Sequence, residues 1–310
     1  MNVKKGEGES LGEQYKVGPY FPVFILTDSA GSVINRWTGY TGADHFASEF
    51  SRAMSNLTTI EMRQAAFEQD PTHAEAIFLA KYHADIAEFI EAAEYYRRAQ
   101  TMGNRPTDYS YQIFENYANA AWNDQISFDE VLPTADTVMN APRKNAENIA
   151  KAAQLLSKLA LRMETTDRIG RYLQAGIAAT TGRQDAKGLG LHNDLKADYA
   201  LYVEHDTAGA IANKKTGLGE NWSGDLNQYY PFGNWCYERR INLEEAQRYV
   251  KTASERASDG PFKARQLSLL ANICEARGLS TDAVRYVEQA IEQDPDNESY
   301  SAQLERLRQL

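Results

Sequence analysis

Cysteine is scarce in this 310-residue chain: there are two, Cys236 and Cys274, and no CxxC pair. That excludes a disulfide scaffold and a cysteine-rich zinc site. Basic charge is also short, with 33 Lys+Arg against 43 Asp+Glu and a formal net charge of -10. Without a basic cluster such a chain repels a phosphate backbone, so no nucleic acid partner is expected. Long apolar runs are missing as well. The longest, Tyr20 to Leu26, has seven residues, against about 20 for a membrane-spanning helix. The opening stretch MNVKKGEGES is charged and lacks the apolar core of a secretory signal. His45, His73, His83, His192 and His205 form no HExxH or other ligand spacing, and Gly6 and Gly8 form no phosphate loop, so neither metal nor cofactor is expected. What is present, 43% hydrophobic and 25% charged residues, is the composition of a folded protein with a sizeable core.

Two kinds of pattern divide the chain. Val23-Phe24-Ile25-Leu26 and Val33-Ile34-Asn35-Arg36-Trp37 are β-prone runs around the turn residues Asp28-Ser29-Ala30-Gly31, which predicts a β-hairpin. Phe46, Phe50 and Met54, four apart, predict one apolar face on a helix from Ala43 to Ser55. From Thr58 onward the sequence becomes a succession of amphipathic helical segments. Ala66-Phe67-Glu68-Gln69-Asp70-Pro71 is echoed by Ala290-Ile291-Glu292-Gln293-Asp294-Pro295, and each copy stops a helix at an Asp-Pro step, where proline disfavours helix in the residue before it.

Leu267, Leu270, Ala271, Cys274, Ala283, Val287 and Ala290, with Gly278 between two helical halves, are spaced as in the tetratricopeptide repeat, which this stretch resembles. A second copy fits Ala76, Leu79, Ala80, His83, Ala92, Tyr96 and Ala99, with its turn at Ala87 to Phe89. A third fits Tyr230, Tyr237, Ala246, Val250 and Ala253, although Gly233 and Asn234 stand where the pattern has a large and a small residue. Degenerate units are expected as helices at Tyr111 to Trp122, Phe128 to Met139, Ala146 to Met163, Arg168 to Thr180 and Leu191 to His205. Thr216 to Asp225 reads as a linker.

Gly18-Pro19-Tyr20-Phe21-Pro22, the run to Leu26, then Asp28, Gly31 and Gly39-Tyr40 resemble the second half of a thioredoxin fold, with Asn2-Val3 as the end of the preceding strand and Leu11 to Val17 as the short helix before the proline. The resemblance implies that Pro22 is the cis-proline facing a redox pair, and that the first strand and CxxC helix precede Met1. The expectation is therefore an N-terminally shortened protein, the competing one a half-domain kept as a cap. Trp222, Asn234-Trp235-Cys236-Tyr237, Ile241 to Ala246 and Asp294 to Asn297 resemble the C-terminal repeats that bacterial thioredoxin-like proteins carry.

The expected fold is mostly α: a partial thioredoxin-like α/β segment over residues 1–57, then a tetratricopeptide-like α-helical solenoid, degenerate over 58–215 and clearer over 226–310. Cys236 and Cys274 are expected to be buried and unbonded, since equivalent positions of stacked repeats lie about 10 Å apart, beyond the ~7 Å that a disulfide spans. No catalytic residue is visible. The inner face of the repeats, by motif position, includes Lys81, Asp85, Trp235, Arg239, Arg265 and Asn272, a candidate surface for a protein or peptide partner. The alternative function, carried by the resemblance, is a thioredoxin-like thiol-disulfide oxidoreductase whose CxxC half lies upstream. A third is a structural scaffold. Oligomeric state is left open.

Overall fold

The computed structural model of the chain describes residues 6–18, 22–102, 107–141 and 145–309. Asn2-Val3 and the stretch Pro19 to Phe21 lie outside the described residues. The chain divides into two compact units, Met1–Met163 and Glu164–Leu310, so one boundary falls inside the stretch read as degenerate repeats.

The first unit opens with α1 (Glu7–Gln14), whose first turn carries Glu7 and Glu9, a charge that suits the positive end of the helix dipole. This helix starts earlier than the Leu11 to Val17 expected and ends before Tyr15. Strands β1 (Val23–Thr27) and β2 (Val33–Thr38) pair antiparallel, with Phe24 opposite Trp37 and Ile25 opposite Arg36. The Asp28 carboxylate closes the turn by accepting from the N–H groups of Ala30 and Ser32, both at 2.9 Å, and Gly31 supplies the left-handed backbone at φ 86°. Helix α2 (Ala43–Met54) lays Phe46 on Phe24 and Trp37, with ring centroids 5.0 and 5.9 Å away. Its apolar stripe is only partly covered, for Phe50 and Met54 remain 41% and 45% exposed.

The repeat pattern begins with α3 (Ile60–Gln69), capped by the Thr59 hydroxyl and stopped at Asp70-Pro71. Helices α4 (His73–Asp85) and α5 (Phe89–Thr101) form a helical hairpin in which Ala76, Ala80, Ala92 and Ala99 are fully buried. Small side chains at those positions let two helices approach closely. Helices α6 (Ser110–Trp122), α7 (Phe128–Met139) and α8 (Ala146–Arg162) complete the unit.

The second unit contains α9 (Gly170–Thr180), α10 (Ala186–Tyr202), α11 (Thr207–Gly217), α12 (Leu226–Glu238), α13 (Leu243–Arg256), α14 (Pro261–Ala276), α15 (Ser280–Gln293) and α16 (Glu298–Arg308). Helix α10 begins ahead of Leu191 because Asp185 caps it, accepting from the Gly188 N–H at 2.8 Å. The segment read as a linker is packed: α11 runs into it, and the Trp222 ring sits 5.0 Å from Phe232 and 4.8 Å from Tyr249. One core joins Phe232, Cys236, Val250, Leu270, Cys274 and Val287. Gly233, the departure from the repeat pattern, has a packing reason: a Cβ there would meet Cγ2 of Val250 at 2.3 Å, so only glycine lets α12 lie this close to α13.

Candidate functional site

In the first unit the strand β2, helix α2 and helix α4 enclose a recess of about 450 Å³. Arg36 and Trp37 of β2 reach it from neighbouring positions on the strand, and α4 contributes Lys81 and Asp85, one helical turn apart. Two of the sequence-predicted site residues are thus brought together, beside two that the β-prone run concealed.

Arg36 is 7% exposed. Its Nη1 donates to the Tyr15 carbonyl at 2.6 Å and its Nη2 to the Lys16 carbonyl at 3.0 Å, so the guanidinium closes the C-terminal end of α1, where free carbonyls favour a cation. Its Nε–H is buried without an acceptor. Burial pushes the Arg36 pKa down, partly offset by the nearby charge of Asp85. Asp85 is in turn pushed up by burial, against the pull of Arg36 and Lys81. Trp37 is 8% exposed, stacks on Phe24 at 5.3 Å, and holds a second buried donor, Nε1–H, without an acceptor.

A smaller recess of about 320 Å³ also touches Arg36 and is lined by Lys16, Tyr82, His83 and Glu88. The buried His83 donates from Nδ1 to Glu88 at 2.6 Å, while Gln64 Nε2 donates to its Nε2 at 2.9 Å. It also stacks on Tyr95, centroids 5.2 Å apart. Lys16 pairs with the same carboxylate. Burial pushes Glu88 upward, but the hydrogen bonds from Lys16 and His83 outweigh it and hold the carboxyl below its ordinary range.

The other four candidates belong to the second unit. Trp235 is 5% exposed and covered by the core of α10 to α16. The Arg239 side chain is 5% exposed and its Nη2 lies 2.8 Å from Oδ1 of Asp198 on α10. Both side chains are therefore occupied inside the unit rather than presented on a face. Arg265 is exposed, its guanidinium 3.9 Å above the Tyr230 ring. Asn272 is half-buried and accepts from Gln303 of α16 at 2.7 Å. Pro22 is exposed at the entry to β1, and its carbonyl accepts from the Gly39 N–H at 2.8 Å. Cys236 and Cys274 are buried and unbonded, and burial pushes their thiols up to about 12 and about 11. Among the described residues no His, Cys, Asp and Glu side chains gather in a group able to hold a metal, and no helix is long and apolar enough to cross a membrane.

No family model matches the chain, and no curated protein matches it in sequence. In three dimensions it is similar to a tetratricopeptide repeat protein from Parabacteroides merdae ATCC 43184, with a TM-score of 0.50 and 12% identity over 86% of this chain and 95% of that one. The helical part has the tetratricopeptide-repeat fold. With a two-stranded antiparallel sheet near its start, the chain is mostly α, as its periodicity predicted. A likeness at this identity concerns the fold alone.

Proposed function

We propose that the chain is a protein- or peptide-binding module built on its helical repeats. The observation that carries this reading is the stack of helical hairpins, a fold that presents many side chains from rigid elements and so recognises a partner at little ordering cost. On the second unit the residue best placed to serve it is Arg265, exposed and seated over the Tyr230 ring, where a guanidinium keeps free donors for a carboxylate or a backbone carbonyl. Selecting a random-peptide display library against the chain tests the idea. A consensus peptide should emerge and lose about fivefold in affinity to Arg265→Glu, while Lys251→Glu on the exposed side of α13 leaves it unchanged. Failure to select any consensus, or equal binding by both variants, would remove the reading.

The second reading, a thioredoxin-like thiol-disulfide oxidoreductase, draws support from the order of elements around Pro22: exposed proline, strand, glycine turn, strand, glycine and helix. Among the described residues β1 pairs with β2 alone, which fits half of a larger sheet. The two buried, high-pKa thiols are poor nucleophiles. Insulin reduction by these 310 residues is therefore expected to be absent, and turnover that survives Cys236→Ser with Cys274→Ser would count against any thiol mechanism.

A further inference from the structure

We propose that the recess between β2, α2 and α4 is a binding site for a carboxylate carried on an aromatic or aliphatic body. Its donors lie on the β-hairpin and on α4, so the inference does not depend on the repeat face around Arg265.

The first observation is a buried cation with no direct ion pair, its nearest opposite charge, Asp85, acting only from a distance. Two backbone carbonyls hold the terminal nitrogens of Arg36, no carboxylate among the described residues pairs with it, and its Nε–H has no acceptor. A desolvated charge in that state is costly, and an anion brought to Nε relieves it. The second observation is independent of the first. The Trp37 Nε1–H, a neutral donor on the next residue, is also buried and also lacks an acceptor, and Trp37 is one of the residues that line the recess. Buried donors in native proteins nearly always have partners, so two unpaired ones on adjacent residues at the wall of one recess argue for acceptor atoms brought in by a ligand. Lys81, exposed at the mouth and without an ion pair among the described residues, adds a third donor.

Charge selects the class of anion. Glu49 and Arg52 pair with each other one turn apart on α2. That leaves Arg36 and Lys81 against Asp85, two positive charges and one negative, with His45 counted neutral, for a surplus of one. A monoanion matches this surplus; a dianionic phosphate would face Asp85 and Glu49 with too little compensation. Shape selects the rest of the ligand. Ile77, Phe78 and Tyr96 supply apolar wall, and the volume of about 450 Å³ is that of an ordinary small-molecule site rather than a single bound water. A free organic acid and the acidic end of a peptide share this chemistry.

The indole N–H resonance of Trp37, assigned by its loss in Trp37→Phe, reports on the site directly. Titration of the whole chain with 3-phenylpropionate is expected to shift that resonance and saturate with a Kd on the order of 1 mM. The uncharged 3-phenylpropanamide should bind about tenfold more weakly, and Lys81→Glu should weaken the acid about fivefold. Arg36→Gln should abolish binding, but it also frees two carbonyls and can loosen the hairpin; the exposed Lys81→Glu, checked for an unchanged melting temperature, carries the test if it does. A short peptide ending in phenylalanine, with free or amidated terminus, separates the sources. Tighter binding by the free terminus than by 3-phenylpropionate points to a peptide, and binding by the small acid alone to a metabolite. The proposal is overturned if the acid leaves Trp37 unmoved at about 10 mM, if acid and amide bind alike, or if folded Lys81→Glu binds the acid as well as the unmodified chain.

Discussion

The two units each bury an arginine, and they treat it in opposite ways. Arg239 of α12 reaches Asp198 of α10, lies 5.0 Å from the Trp235 ring, and has its pKa raised: burial works against the charge, but Asp198, Tyr202 and Glu238 together outweigh it. Arg36 of β2 has only carbonyls for partners, and burial prevails, so its pKa is lowered. The same side chain thus serves as a closed internal tie in one unit and as an incompletely satisfied wall of a cavity in the other. A buried charge with its counter-ion in place contributes specificity of packing; one without it has binding capacity to spare.

The largest effect should come from breaking the closed tie. Asp198→Ala leaves Arg239 buried with only a 3.4 Å contact to the exposed Glu238 and is expected to cost about 3–5 kcal/mol in urea unfolding, whereas Asp198→Leu with Arg239→Met together should fall within about 1 kcal/mol of the parent. If the double variant is as unstable as the single one, the loss comes from packing around the pair rather than from a stranded charge. Arg36→Met should cost less, about 1–2 kcal/mol, because it forfeits charge-assisted bonds to Tyr15 and Lys16 without stranding a carboxylate. A loss as large as that of Asp198→Ala would erase the contrast. Lys81→Glu, at the exposed rim, should change stability by no more than about 0.5 kcal/mol, so that any loss of ligand binding is separable from unfolding.

The smallest effects concern pH and differ in sign between two carboxylates near Arg36. Glu88 is held below its ordinary range in the folded state, so its contribution is present near neutrality and disappears as pH falls through that lowered value. Glu88→Gln should therefore destabilise at pH 7, with the difference fading in acid. Asp85 is raised, so its ionised form opposes folding at neutral pH, and the penalty vanishes once pH drops below the unfolded value of about 3.9. Asp85→Asn should stabilise at pH 7 and be neutral in strong acid. Melting temperatures of both variants across pH 3–7 decide it, and equal signs would contradict the account of how Arg36, Lys16 and His83 share these charges.

How far the sequence could be read depends on how local each signal is. The α4–α5 and α14–α15 hairpins were legible because buried alanines and Asp-Pro stops repeat within a few turns of one another. The hairpin was legible from Asp28 and Gly31, which act within their own turn. Helix α10 was read short because Gly188 and Gly190 lower helix propensity, while its start depends on a cap at Asp185. Motif position placed Trp235 and Arg239 on an inner face, but Trp235 belongs to the core and Arg239 is drawn in by Asp198, 41 residues earlier in the chain. No periodicity encodes such a partner. Arg36 was visible only as a charged residue inside a β-prone run; that local conflict is the signal that could have marked it.

The Gly233 crossing carries a consequence for how the second unit tolerates change. Since a methyl group at 233 would occupy the space of a Val250 methyl, the two positions share one fixed allotment of volume. Bulk added on α12 must be surrendered on α13, so Gly233→Ala alone jams the helices apart, while Gly233→Ala with Val250→Ala gives up two methyl groups on α13 for the one gained on α12 and removes the clash at the seam.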